Sequence, residues 1–221
     1  MPDLPAFAEL AAAPDAALDL LALALAASFR TVDAADAMAT LDALGSDLGR
    51  AAALTGPDPE SLTRACAQVL GDEHGFVGDR ENYDDPDNSM LDVVVARRRG
   101  LPILLSVVYV EVARRAGIPL AGVGLPGHFV VGHFGADPPV LLDPFHRGVA
   151  IAASGAEDQV RPWSAHEIAM RMLNNLVSAY QRRGDIGSAM RAASMRLELP
   201  AERSWRQILE AELRAMQARL N

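Results

Sequence analysis

The sequence predicts an α+β fold in which one central helix packs on a small antiparallel sheet, with helical regions before and after it. Three observations carry this. Apolar residues recur at helical spacing up to about residue 78 and again from about Ser164. Between them, short runs of β-formers are separated by Gly and Pro. A long apolar helical pattern, Pro102 to about Ala116, stands directly before those runs. The expected division is residues 1–78 as an N-terminal helical region, 79–160 as the core, and 161–221 as a helical hairpin plus a terminal helix.

Pro14-Asp15 is read as the start of a helix running to about Arg30, and the apolar stretch Leu18 to Phe29 as its buried part. Asp33 caps a second helix through Leu48, whose Ala37, Leu41, Leu44 and Leu48 share one face. Asp58-Pro59-Glu60 opens a third through Leu62, Cys66 and Leu70, and Gly71, Gly75 and Gly78 break the pattern. Asp84-Asp85-Pro86-Asp87-Asn88 is a turn cluster, with Asn88 or Ser89 as cap of the next helix. Gly100-Leu101-Pro102 ends that helix and starts the central one, because proline suits a first turn where its missing N–H has no helical partner. Gly117-Ile118-Pro119 stops it. Strands are expected over Ala121–Val123, His128–Phe134 and Val140–Asp143, as an antiparallel meander. Beyond Ser164, Met172, Leu173, Leu176, Val177 and Tyr180 define one helix face, and Gly184-Asp185 a turn; a second helix follows through Met190, Ala193 and Leu197, closed by Pro200. A last helix is expected from Ala201 to Leu220.

Composition narrows the function classes. The 221 residues are 50% hydrophobic but only 5% aromatic, so burial rests on Ala, Leu, Val and Ile. A net charge of −9 opposes nonspecific binding to nucleic acid or to an anionic membrane surface. Every basic side chain apart from histidine is arginine. The single cysteine, Cys66, allows neither an intramolecular disulfide nor a cysteine-rich metal site, which fits a reducing, cytoplasmic setting. It lies in the apolar stripe with Leu62 and Leu70 and is expected to be buried and inert. No basic leader or membrane-length apolar run is apparent.

His128 opens one predicted strand, in Pro126-Gly127-His128-Phe129, and Asp143 closes the next, in Leu142-Asp143-Pro144-Phe145. Neighbouring strands bring the two side by side. A carboxylate there fixes the imidazole tautomer and favours its charged form, as in the base-and-orienter part of a nucleophilic triad. The same spacing equally serves a hydrogen bond that holds a strand end. His128, His133, Asp143 and His146 are also candidate metal ligands; the odd offset of His133 turns it to the other strand face, and no metal or cofactor is expected. Glu111 either pairs with Arg114 or Arg115 or faces the cleft, and Asp84, Asp85 and Asp87 lack the spacing of a calcium loop.

The strings Asn82 to Ser89, Arg98 to Pro102, Ala113 to Pro119, Pro126 to Phe129 and Leu142 to Phe145 occur in an order that resembles the transglutaminase-like core of SirB-type proteins. Met172-Leu173-Asn174-Asn175-Leu176 and Tyr180 to Asp185 look like the start of the tetratricopeptide-like tail of such proteins, here about one unit long. The resemblance implies a papain/transglutaminase-like fold with a cysteine at the N-terminus of the central helix, its pKa lowered by the helix dipole and a histidine. His128 matches that histidine and Asp143 the aspartate. The cysteine position falls at Pro102, Ile103 or Leu104, none of which is a nucleophile, and Cys66 lies too early in the chain. Ser106 is the nearest hydroxyl, about 4.5 Å beyond Ile103 along a helix. A thiol placed at Ile103 or Leu104 is expected to react as a thiolate near neutral pH if the cleft geometry is kept.

Three functions follow from this. The first is a noncatalytic module holding a peptide or protein segment in an inactive cleft. The second is a hydrolase or acyltransferase using Ser106 with His128 and Asp143. The third is a structural role for the polar pair. The sequence fixes neither an oligomeric state nor a named partner.

Overall fold

A computed structural model describes residues 4–152, 155 and 157–218. The chain opens with α1 (Phe7–Ala12) and α2 (Leu18–Ala27). Pro14-Asp15 does not start α2. It forms the turn between the two helices, with Ala17 still extended at the N-cap. α2 is buried around almost its whole circumference, including Asp19. α3 (Ala34–Ala52) is capped as expected: the Asp33 carboxylate accepts from the Asp36 N–H at 3.0 Å, and Ala37, Leu41, Leu44 and Leu48 face the core. α4 (Pro59–Cys66), capped by Asp58, runs into a π-helical turn over Ala67–Glu73 that the residue pattern did not foretell. Gly71 lies in that turn. A Cβ there would come within 2.1 Å of the Arg147 carbonyl oxygen, so only glycine lets the π turn rest on that backbone.

β1 (Val77–Gly78) pairs in parallel with β2 (Arg99–Gly100). Between them a 3-10 turn, Pro86–Ser89, precedes α5 (Leu91–Arg97). Neither Asn88 nor Ser89 caps α5; Met90 holds that position without a side-chain bond. The intervening turn swings Asn88 inward, where its amide donates to the Asn82 carbonyl at 2.7 Å and to Asp79 at 3.3 Å. Arg97 pairs with Asp87, while Asp84 and Asp85 pair with Arg182 and Arg183, so all three acids serve ion pairs.

The central helix α6 spans Pro102–Arg115 and is buried over nearly its whole length. Gly117, at φ 75°, ends it in the left-handed region that favours glycine. The sheet follows: β3 (Leu120–Leu125), β4 (His128–His133), β5 (Val140–Asp143) and β6 (Val149–Ile151), each antiparallel to the next in that order. β6 escaped the sequence reading because its residues are half-buried to exposed and carry no alternation. Phe129, Val131 and Leu142 project from one face into the main core with α6; Val123, Val130 and Leu141 form a smaller cluster on the other. Trp163 packs edge-on against Phe129 at 5.3 Å, in space left by the missing side chain of Gly124.

Ser164 and Glu167 form a reciprocal capping box at the start of α7 (Ala165–Arg182). α7 forms an antiparallel hairpin with α8 (Ile186–Met195), which ends two residues before the expected Leu197, and α9 (Arg203–Gln217) follows. The expected end of that helix, Leu220, lies outside the described residues. One continuous buried cluster draws on all three regions, from Phe7 to Met216. The class is therefore α+β, a small sheet against a central helix with helical regions on both sides.

Candidate functional site

The antiparallel register pairs Val131 with Leu142, which puts the last residue of β5 and the first residue of β4 on one face, a diagonal step apart. His128 Nε2 lies 2.8 Å from Asp143 Oδ2. Asp143 also leads the 3-10 turn Pro144–His146, whose tight i,i+3 repeat brings His146 back over its own carboxylate. His146 Nδ1 is 2.7 Å from the same oxygen. The other carboxylate oxygen accepts from the Phe145 N–H at 3.0 Å. Asp143 is buried while His128 is partly and His146 largely exposed. Burial pushes the Asp143 carboxyl up, but the hydrogen bonds and charges of His128 and His146 outweigh burial and hold it below the ordinary carboxylate value.

Phe145 locates this cluster relative to α6. Its ring covers Gly78 so closely that a Cβ there would sit 2.3 Å from two ring carbons. Gly78 pairs with Gly100, two residues before Pro102. Phe145 thus links the cluster to the β1–β2 pair that precedes the central helix. Next to the cluster an open cleft of about 420 Å³ is lined by Arg80, Glu81, Arg99, His146 and Arg147 among others.

Ser106 is fully buried, and among the described residues its Oγ has no hydrogen-bond partner. The structure thus joins His128 and Asp143 but ties neither to Ser106 by a hydrogen bond. Pro102, Ile103 and Leu104 are all buried. Cys66 is buried in the core, and burial pushes its thiol up to about 12. We expect less than a tenth of the folded protein to be labelled by a thiol reagent at pH 8 in the time that labels the unfolded chain fully, because the nucleophilic thiolate is scarce far below its pKa. Full labelling of native protein at that pH would place the sulfur at the surface.

His133 is buried and its Nδ1 accepts from the Gly135 N–H at 3.1 Å, away from the cluster, as its odd offset required. Glu111 does not face the cleft. It pairs with Arg114 at 2.8 Å and Arg115 at 2.9 Å, beside Asp19. The sequence offers His146 only as a candidate metal ligand, and the structure seats it on Asp143 beside His128. The signal for it was local: a histidine three residues after an aspartate, across a proline that favours a tight turn.

These features define a class of protein: an α+β core with a histidine–aspartate pair on neighbouring strands, and no thiol at the start of its central helix. A family model described as the transglutaminase-like superfamily matches residues 35–176, and the chain belongs to that superfamily. A UPF0162 protein of Xylella fastidiosa (strain 9a5c) is 37% identical over 153 residues, covering 61% of this chain and 54% of that protein. A UPF0162 protein of Pseudomonas aeruginosa is 31% identical over 141 residues, covering 58% and 52%. F-box only protein 21 of Homo sapiens is 29% identical over 133 residues, covering 52% and 21%. The chain thus spans about half the length of these UPF0162 relatives. No solved structure matches the chain.

Proposed function

We propose that this chain is a noncatalytic member of the transglutaminase-like superfamily, of the SirB type, that holds a peptide or protein segment in the cleft beside His146. The observation that carries the reading is chemical. His128 and Asp143 keep the spacing of a base and its orienter at 2.8 Å, while the start of α6 offers only Pro, Ile and Leu, and the one thiol is buried. Arg80 and Arg99 in the cleft lining favour a segment that carries a carboxylate, which a guanidinium grips with paired N–H donors. In this reading residues 79–160 form the core, residues 1–78 brace it, and residues 161–221 serve as an abbreviated tetratricopeptide-like tail. A cytoplasmic location fits the lone unpaired thiol.

The test has two arms. An array of acidic and neutral peptides should yield acidic binders, and Arg80→Glu should weaken them at least tenfold while the fold is retained. The wild type should incorporate no amine into glutamine substrates, because no thiolate stands ready to form the thioester. Turnover of an ester or amide that stops in Ser106→Ala, with His128 and Asp143 also required, would instead establish the hydrolase or acyltransferase reading. Failure of every peptide to bind would remove the module reading.

A further inference from the structure

We propose that His128, Asp143 and His146 form a binding site for a divalent transition-metal ion of the zinc class. One donor atom from each residue lies within 4.8 Å of the others. The arrangement exceeds what an orienting carboxylate requires. One imidazole is enough to make a histidine–aspartate pair, yet here two ring nitrogens converge on the same oxygen, at 2.8 and 2.7 Å.

An ion bound at about 2.0–2.2 Å from each ligand sets tetrahedral donors about 3.4 Å apart. The two contacts to Asp143 therefore open by about 0.6–0.7 Å, a side-chain adjustment. Outer support is already in place. The Phe145 N–H holds Asp143 Oδ1 at 3.0 Å, which leaves Oδ2 as a single directed donor. The ligands also stand on ordered elements: the start of β4, the end of β5 and a turn stiffened by Pro144.

Two imidazoles and one carboxylate suit zinc, cobalt, nickel or copper rather than magnesium or calcium, which prefer oxygen ligands. The buried aspartate under two more exposed histidines puts the ion at the cleft mouth, with coordination positions open to water or to a carboxylate of a bound segment. The nearby cations oppose an ion only weakly. Arg147 turns its guanidinium to the Gly71 carbonyl at 3.1 Å, and Arg80 lies 5.9 Å over the Phe145 ring. His133, whose orientation argued against metal in the sequence, takes no part in the cluster.

The test adds Zn²⁺ or Co²⁺ alone to the untagged full chain after chelator treatment. Calorimetry should give one tight ion per chain, and Co²⁺ should show the visible bands of a four- or five-coordinate site. His128→Ala and His146→Ala should each weaken binding about 100-fold and abolish the zinc-dependent rise in thermal midpoint. His146→Gln keeps a polar group at this exposed position and guards against loss of fold. His74→Ala, which touches only the separate histidine–carboxylate contact with Asp47, should leave binding unchanged. Absence of stoichiometric binding at tens of micromolar metal, or binding indifferent to His146, would overturn the site. No peptide enters the measurement, so its failure is distinct from failure of the peptide-binding reading.

Discussion

Replacing Arg115 by Met should destabilise the protein by about 3–5 kcal/mol, the range for removing one partner from a buried ion cluster. Arg115 is nearly buried, and its guanidinium reaches Asp19 at 2.7 Å, Asp42 at 2.6 Å and Glu111 at 2.9 Å. Asp19 and Glu111 are themselves buried and have no other described cationic partner than the more exposed Arg114. Burial pushes both carboxyls up. The hydrogen bond and charge of Arg115 bring Asp19 below its ordinary value, whereas burial and the Asp19 charge leave Glu111 above its own. The Arg115 stem also fills the space over Gly45 in α3, so the change disturbs the α3–α6 contact as well. Urea unfolding measures the loss. Adding Asp19→Asn and Glu111→Gln to the Arg115→Met chain should restore much of it, because the uncompensated charges are then gone. A loss under about 1 kcal/mol would put this cluster with ordinary surface ion pairs.

Replacing Gly78 by Val should cost about 1–3 kcal/mol, the usual penalty for forcing extra volume into a packed site. Its larger effect should be on the cluster. The Cβ would occupy the position of the Phe145 ring, and Phe145 supplies the N–H that fixes Asp143. Displacing the ring should therefore move the imidazole NMR resonances of His128 and His146 while leaving those of His74 in place. Binding of acidic peptides should fall with them. Unchanged imidazole resonances in a folded Gly78→Val protein would mean that Phe145 does not position the site.

The parts of this molecule that local chemistry decides were legible in advance. Asp33 and Asp58 cap their helices because a carboxylate before a helical run has little better use. Short runs of β-formers between Gly and Pro breaks predict the meander, and strand adjacency predicts the approach of His128 to Asp143. What escaped depended on partners distant in sequence. The π turn exists because Gly71 meets Arg147, and the β1–β2 pair because residues some twenty positions apart come together. Asp19 interrupts an apolar helix, and its partners lie nearly a hundred residues away. His146 is among the sequence candidates, but its contact with Asp143 arises from a three-residue turn, too short for any periodicity to show.

The burial of Pro102, Ile103 and Leu104 bears on whether the missing thiol could return. Each of these side chains now fills a place in the interior. A cysteine substituted for Ile103 or Leu104 would leave a hollow where a branched chain had been, and would itself sit out of reach of solvent. Its sulfur would then face the same penalty that holds Cys66 far from ionisation, and the pull of the helix dipole would have to overcome that first. Reversion by a single codon therefore runs against packing as well as chemistry. A working thiol at this helix start calls for smaller neighbours as well as a cysteine.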